Sequence, residues 1–308
     1  MSSGKSSSYF VGGVLICILG AVCFSTKAVF VKLAYRDTSI DSVTLLALRM
    51  VFSLPFFVIS AYASSSKESN VKFTNRQWIS VAVVGCLGYY ISSLLDFLGL
   101  QYISAGTERL ILFIYPTLVL IMSAAIFKIK ISPIQWLAVV VTYFGLALAF
   151  FNELNLGSTP SVDFYKGSAL IFACAVTYAA YIVGSGRLIP HVGAAKFNSY
   201  AMSFACIGVF LHFFFTGTSS LLNLPNLVYV YGLCMAILST VIPSYLVSEG
   251  IKRIGSDNAA IVGSIGPVST IIQANIFLYE PILAWQIAGT ICILAGVWLI
   301  GKKQAQIV

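Results

Sequence analysis

Residues 98–127 read LGLQYISAGTERLILFIYPTLVLIMSAAIF, and residues 249–278 read EGIKRIGSDNAAIVGSIGPVSTIIQANIFL. At one constant shift Gly99 falls on Gly250, Ile103 on Ile254, Pro116 on Pro267, Gln135 on Gln286 and Gly145 on Gly296. Chance rarely yields so many matches at a single spacing, one of them a pair of prolines inside apolar runs. A duplicated membrane segment of this kind points to a carrier built from two related halves.

Working outward, composition decides the solvent. Charged residues make up 9% of the chain and apolar residues 59%, where soluble proteins carry roughly 25% charge. So few charges cannot cover a soluble fold of this size, so the partner is the lipid bilayer. In lipid the backbone must satisfy itself, which leaves helices or a closed barrel. Barrel strands alternate apolar and polar residues. Here the apolar runs are continuous and about 20 residues long, as a membrane helix requires. All seven cysteines lie inside those runs without a C-x-x-C pair. They read as small buried hydrophobes and indicate neither a disulfide framework nor a metal site. No cofactor is expected.

The runs predict ten spans: Val11–Leu33, Ser42–Ala61, Trp78–Leu100, Ala105–Phe127 and Ile134–Phe151, then Lys166–Gly184, Phe197–Phe215, Val228–Gly250, Asp257–Leu278 and Trp285–Ile300. With a cytoplasmic N-terminus, twelve Lys and Arg residues fall in inside segments and four (Lys32, Arg36, Arg109, Lys166) in outside segments or at their edges. This positive-inside bias places both termini in the cytoplasm. It also accounts for the net charge of +8 as a topology signal, so no nucleic-acid partner is expected. Five helices per half is an odd number, so the second half, 152–308, enters the membrane upside down relative to the first, 1–151. The expected fold class is therefore all-α integral membrane, ten transmembrane helices in two inverted five-helix repeats. Trp78, Trp136, Trp285 and Trp298 near span ends agree with interfacial placement. Val11–Leu33 is long enough to span, so an uncleaved first helix is expected.

At this point the residues resemble a known family. Ten spans, two five-helix repeats, a G-L-x-x-I-x-A-G…P helix followed by a basic loop, and the ending IAGTICILAGVWLI look like the drug/metabolite transporter superfamily, EamA family. The resemblance implies an inner (plasma) membrane exporter of small metabolites such as amino acids and related compounds, working by alternating access around a central cavity. One departure stands out. The family's G-E motif after the fourth helix of the second repeat survives as Tyr279-Glu280-Pro281, and its counterpart in the first repeat is Lys128-Ile129-Lys130, without an acid.

Candidate mechanism residues follow from charge and proline. Charge within a span is a functional hypothesis by default. Lys27, Arg49, Asp96, Glu108 and Arg109 all fall at similar depth, in the outer third of the first half. The plainer readings are snorkelling of the long cations or a structural ion network. Three cations facing two carboxylates leave one positive charge over, which fits gating or binding of a substrate carboxylate or phosphate. Adjacent Glu108 and Arg109 diverge on a helix, so at most one need face a cavity. Glu249 precedes Lys252 and Arg253 and reads first as a surface ion pair. If it faces a cavity, it is a proton-titrating candidate. Tyr115 sits at mid-membrane depth. Pro116 and Pro267 are candidate symmetric hinges or broken segments lining the central cavity, with Thr117 and Ser269 close enough to satisfy the carbonyls they free.

The expected partners are thus a small-molecule substrate, the bilayer and protons as candidate coupling ion, and a monomer suffices because both halves are present. Competing readings are an integral membrane enzyme and a non-transport scaffold. An enzyme needs a nucleophile–base set or metal ligands, and neither H-E-x-x-H nor G-x-S-x-G occurs. The expectation is a non-enzyme.

Overall fold

The computed structural model describes the backbone of residues 3–66, 72–128, 131, 133–155, 162–217, 220–263 and 265–304. Helices form where apolar sequence leaves the backbone no partner but itself. They are α1 (Ser3–Asp37), α2 (Ser42–Ser65), α3 (Asn75–Gly85), α4 (Ser92–Gly99), α5 (Ala105–Leu112), α6 (Tyr115–Phe127) and α7 (Pro133–Asn155). The chain continues as α8 (Val162–Val192), α9 (Ala194–Thr216), α10 (Asn226–Ala236), α11 (Ile242–Val262), α12 (Ile265–Leu278) and α13 (Ala284–Gln304). A π-helical turn, Cys86–Ile91, joins α3 to α4, and another, Ile237–Val241, joins α10 to α11.

Seven segments among the described residues are long and apolar enough to cross a membrane: Tyr9–Asp37, Ser42–Ser65, Asn75–Gly99, Ala105–Phe127, Val162–Val192, Ala194–Thr216 and Asn226–Gly255. Ile265–Leu278 and Ala284–Gly296 are apolar but shorter. Helix starts are set by local chemistry. Asp41 caps α2 through Val43 N and Thr44 N at 3.0 and 2.9 Å, and Thr74 with Gln77 forms a capping box on α3. Ser104 caps α5 through Thr107 N at 3.1 Å.

The prolines lie just after interruptions of the helix, not in mid-helix. Pro116 is the second residue of α6 and Pro267 the third of α12, so neither is a kink inside a continuous helix. A first-turn proline lacks an N–H that would have had no helical partner anyway. The helix breaks just before each pair of leading residues. Across the first break, Ile114 N donates to Ile111 O at 3.1 Å and Thr117 N to Ile114 O at 3.0 Å; across the second, Gly266 N donates to Gly263 O at 2.9 Å. The hydroxyls expected to help do not. Thr117 Oγ1 is buried without a hydrogen-bond partner among the described residues, and Ser269 Oγ accepts from Gln273 Nε2 at 2.7 Å.

Several irregularities recur at the spacing of the sequence repeat. The π turns begin at Cys86 and Ile237. The non-glycine residues with positive φ among those described are Lys128 (55°) and Tyr279 (59°), which follow α6 and α12. Ser104, the α5 cap, corresponds to Gly255, whose φ of 82° turns the chain within α11. Packing shows the same exchange. α1 lies against α11 and α12 as α8 lies against α4 and α6, α2 pairs with α9, and α7 pairs with α13.

Candidate functional site

The elements that pack across the two halves leave a cavity between them. Its walls include Cys17, Phe24 and Lys27 of α1, Arg49 of α2, Tyr89, Ser92 and Ser93 around the first π turn, and Arg109, Phe113 and Tyr115 around the break between α5 and α6. The second half supplies Cys174 and Tyr178 of α8, Ser239 and Thr240 of the second π turn, Val247 of α11, and Gly263 and Gly266 at the second break. The empty space amounts to about 910 Å³, part of it open to solvent.

The charges expected in the outer third of the first half are brought together here. Lys27 Nζ lies 2.8 Å from Asp96 Oδ2. Glu108 lies near enough to Asp96 for their charges to interact, with Arg109 Nε 3.8 Å from its Oε2. Both carboxyls are fully buried. Arg109 Nε donates to Thr270 Oγ1 at 2.8 Å and its Nη2 to Phe24 O at 3.2 Å, so it ties α5 to α12 and α1. Arg49 is 2% exposed. Its Nη2 donates to Ser93 Oγ at 2.9 Å, its guanidinium sits 5.0 Å from the Phe97 ring centre, and its Nε has no hydrogen-bond partner among the described residues. Glu108 and Arg109 diverge as adjacent helix residues must. Arg109 lines the cavity and Glu108 does not.

Tyr115 joins an aromatic run. Its ring is 5.2 Å from Tyr178, which stacks on Tyr181 at 5.8 Å, and Tyr181 OH donates to Tyr89 OH at 3.3 Å. The first π turn meets this run closely, since a Cβ on Gly88 would strike the Tyr181 ring. Glu249 stands apart from the cavity. Its carboxylate is bound by Arg253 Nε at 2.8 Å and Lys252 Nζ at 3.6 Å, the surface-pair arrangement. Glu280 also has a defined place: its two oxygens accept from Ala105 N and Gly106 N, both at 3.1 Å, so the second half caps a helix of the first. Ile129 and Lys130, within its first-half counterpart, lie outside the described residues. Sequence reasoning passed over Ser239, Thr240 and Thr270. Small hydroxyl residues in apolar runs carry no signal of which face they occupy. Only the recurrence of the helix breaks marks Thr270 as near the site.

Comparison with known proteins agrees with this architecture. The sequence pattern of the EamA-like transporter family matches twice, over residues 11–151 and 165–302. The uncharacterized transporter YcbK of Bacillus subtilis (strain 168) is 33% identical over 288 residues, covering 90% of this chain and 88% of its own. The uncharacterized transporter sll1319 of Synechocystis sp. (strain ATCC 27184 / PCC 6803 / Kazusa) is 24% identical over 95% of this chain and 94% of its own. Among solved structures, a crystal structure of a protein aligns over 96% of this chain and 98% of its own, with TM-score 0.69 and 16% identity, a likeness of fold alone.

Proposed function

The chain belongs to the EamA-like transporter family and is an integral membrane protein, and from that premise we propose that it is a secondary carrier that exports a small polar metabolite across the inner (plasma) membrane. Ten helices in two inverted halves, 1–151 and 152–308, exchange access to the central cavity from one side of the membrane to the other, with both termini in the cytoplasm. The observation that carries the reading is the cavity itself, walled by both halves and holding Lys27, Arg49 and Arg109 at the seam. The residues that wall it come from both family matches, and the helix breaks before Pro116 and Pro267 are the symmetric points at which each half bends. Non-helical backbone at membrane depth is tolerated where it lines a cavity. When ion coupling is used, the neighbouring buried carboxyls of Asp96 and Glu108 are the proton site in this reading. Glu249, tied to Arg253 and Lys252, is not.

Metabolite profiling of the medium of cells overexpressing the chain tests this. A metabolite that rises outside with the native protein, but not with Arg109→Ala or Arg49→Ala inserted at equal level, supports export through the charged cavity. Normal export by both variants contradicts the charged gate. Uptake instead of release reverses the direction.

A further inference from the structure

We infer that the cavity takes a small organic monoanion with a flat apolar body, and not a zwitterionic amino acid. This rests on the carrier reading and narrows its substrate.

The reason is where the charges point. The cavity wall includes three cations, Lys27, Arg49 and Arg109, while Asp96 and Glu108 are fully buried behind it. Lys27 is matched by Asp96 at 2.8 Å. Arg109 is held by Thr270, the Phe24 carbonyl and, at 3.8 Å, Glu108. Arg49 meets the Ser93 hydroxyl and the Phe97 ring, and its Nε has no hydrogen-bond partner among the described residues. None of the ion pairs among the described residues includes Arg49. A guanidinium 2% exposed at membrane depth is costly when no acid contacts it, and Asp96, the acid whose charge reaches it, makes its ion pair with Lys27 instead. A carboxylate placed across its Nε and Nη2 edge would supply the missing acceptors as a planar fork.

The same wall argues against an ammonium. An amino acid brings one positive group for each negative one, and that group needs a carboxylate or a cage of acceptors. Here it would enter beside three cations, with both carboxyls fully buried and not part of the wall. The rest of the wall suits a flat apolar body. Phe24, Tyr89, Phe113, Tyr115 and Tyr178 line it, with Tyr115 and Tyr178 edge to face at 81°.

The test uses the purified full-length protein. Affinity is measured for the anions benzoate, phenylacetate and indole-3-acetate, the zwitterion phenylalanine and the cation phenethylamine. We expect at least one anion to bind about tenfold or more tighter than both other probes, with Arg49→Gln weakening it about 10- to 100-fold, the size of a lost charge-assisted hydrogen bond. Arg49→Lys keeps the charge and loses the fork, and falls between. The comparison among ligands on the native protein stands even if Arg49→Gln fails to fold. Phenylalanine binding as tightly as any anion, no anion binding at all, or an Arg49→Gln protein that folds and binds the anion normally each overturns the inference. Counterflow in proteoliposomes at alkaline pH separates the two claims. Binding of an anion without exchange defeats the carrier reading and leaves the ligand class standing. Exchange of phenylalanine without exchange of any anion does the reverse.

Discussion

Lys27, in the cavity wall, and the fully buried Asp96 behind it are 2.8 Å apart. Buried pairs of this kind contribute little net energy when intact but cost heavily when halved, because the survivor remains charged and alone. Asp96→Asn alone is therefore expected to lower stability in detergent by about 3–5 kcal/mol. The double variant Lys27→Met with Asp96→Asn should recover most of that loss, read by chemical unfolding. Equal losses for the single and double variants would mean that the pair is not a unit. Intramembrane charge was readable in the sequence because lipid makes every such residue conspicuous. The partners were less readable. Arg49 finds Ser93 and Arg109 finds Thr270, and a hydroxyl among apolar residues does not announce which neighbour it will meet. Glu249 was ambiguous for the opposite reason: its neighbours at i+3 and i+4 are both basic, and they capture it locally.

At the scale of the elements, the two π turns put wider helix where the cavity needs side chains from adjacent turns. Such turns occur often at functional sites. In the second, Ser239 and Thr240 both donate to Met235 O at 2.9 Å, which satisfies backbone that the wider turn disturbs. In the first, Gly88 lets the helix lie on Tyr181. Gly88→Ala should push the two apart, costing about 1–3 kcal/mol as overpacking does, and should reduce transport while insertion persists. An unchanged melting temperature and unchanged transport would remove Gly88 from the account. Glu280→Ala should cost about 0.5–2 kcal/mol, the loss of a helix cap, measured by thermal unfolding; a neutral outcome would mean that water replaces the carboxylate on Ala105 N and Gly106 N. The existence of the helices was legible because continuous apolar runs in lipid permit little else. The π turns were not, because CLGYYI (86–91) and ILSTV (237–241) share only one leucine, Leu87 with Leu238, at matched positions; the widened turn is imposed by packing. The prolines were legible as hinges or broken segments, but a sequence shows proline within an apolar run and not that the helix break lies just ahead of it.

Across the whole molecule, the sequence identities between residues 98–150 and 249–301 are joined by irregularities that no identity encodes. Lys128 and Tyr279 share no chemistry yet share a left-handed backbone at corresponding helix ends. The pairing of α1 with α11 and α12 mirrors that of α8 with α4 and α6. Duplication was thus legible from a handful of fixed residues, while the exchange of packing partners between halves was not, because it depends on long-range contacts. The central claim is that the halves are inverted about the cavity, and the equivalent residues Lys128 and Tyr279 test it most directly. Both are exposed. Lys128→Cys and Tyr279→Cys, each in a background with the seven native cysteines replaced, are treated in intact cells and in inside-out vesicles with a membrane-impermeant maleimide. Inversion predicts that Tyr279→Cys reacts only in intact cells and Lys128→Cys only in inside-out vesicles. Reaction of both from the same side would contradict it.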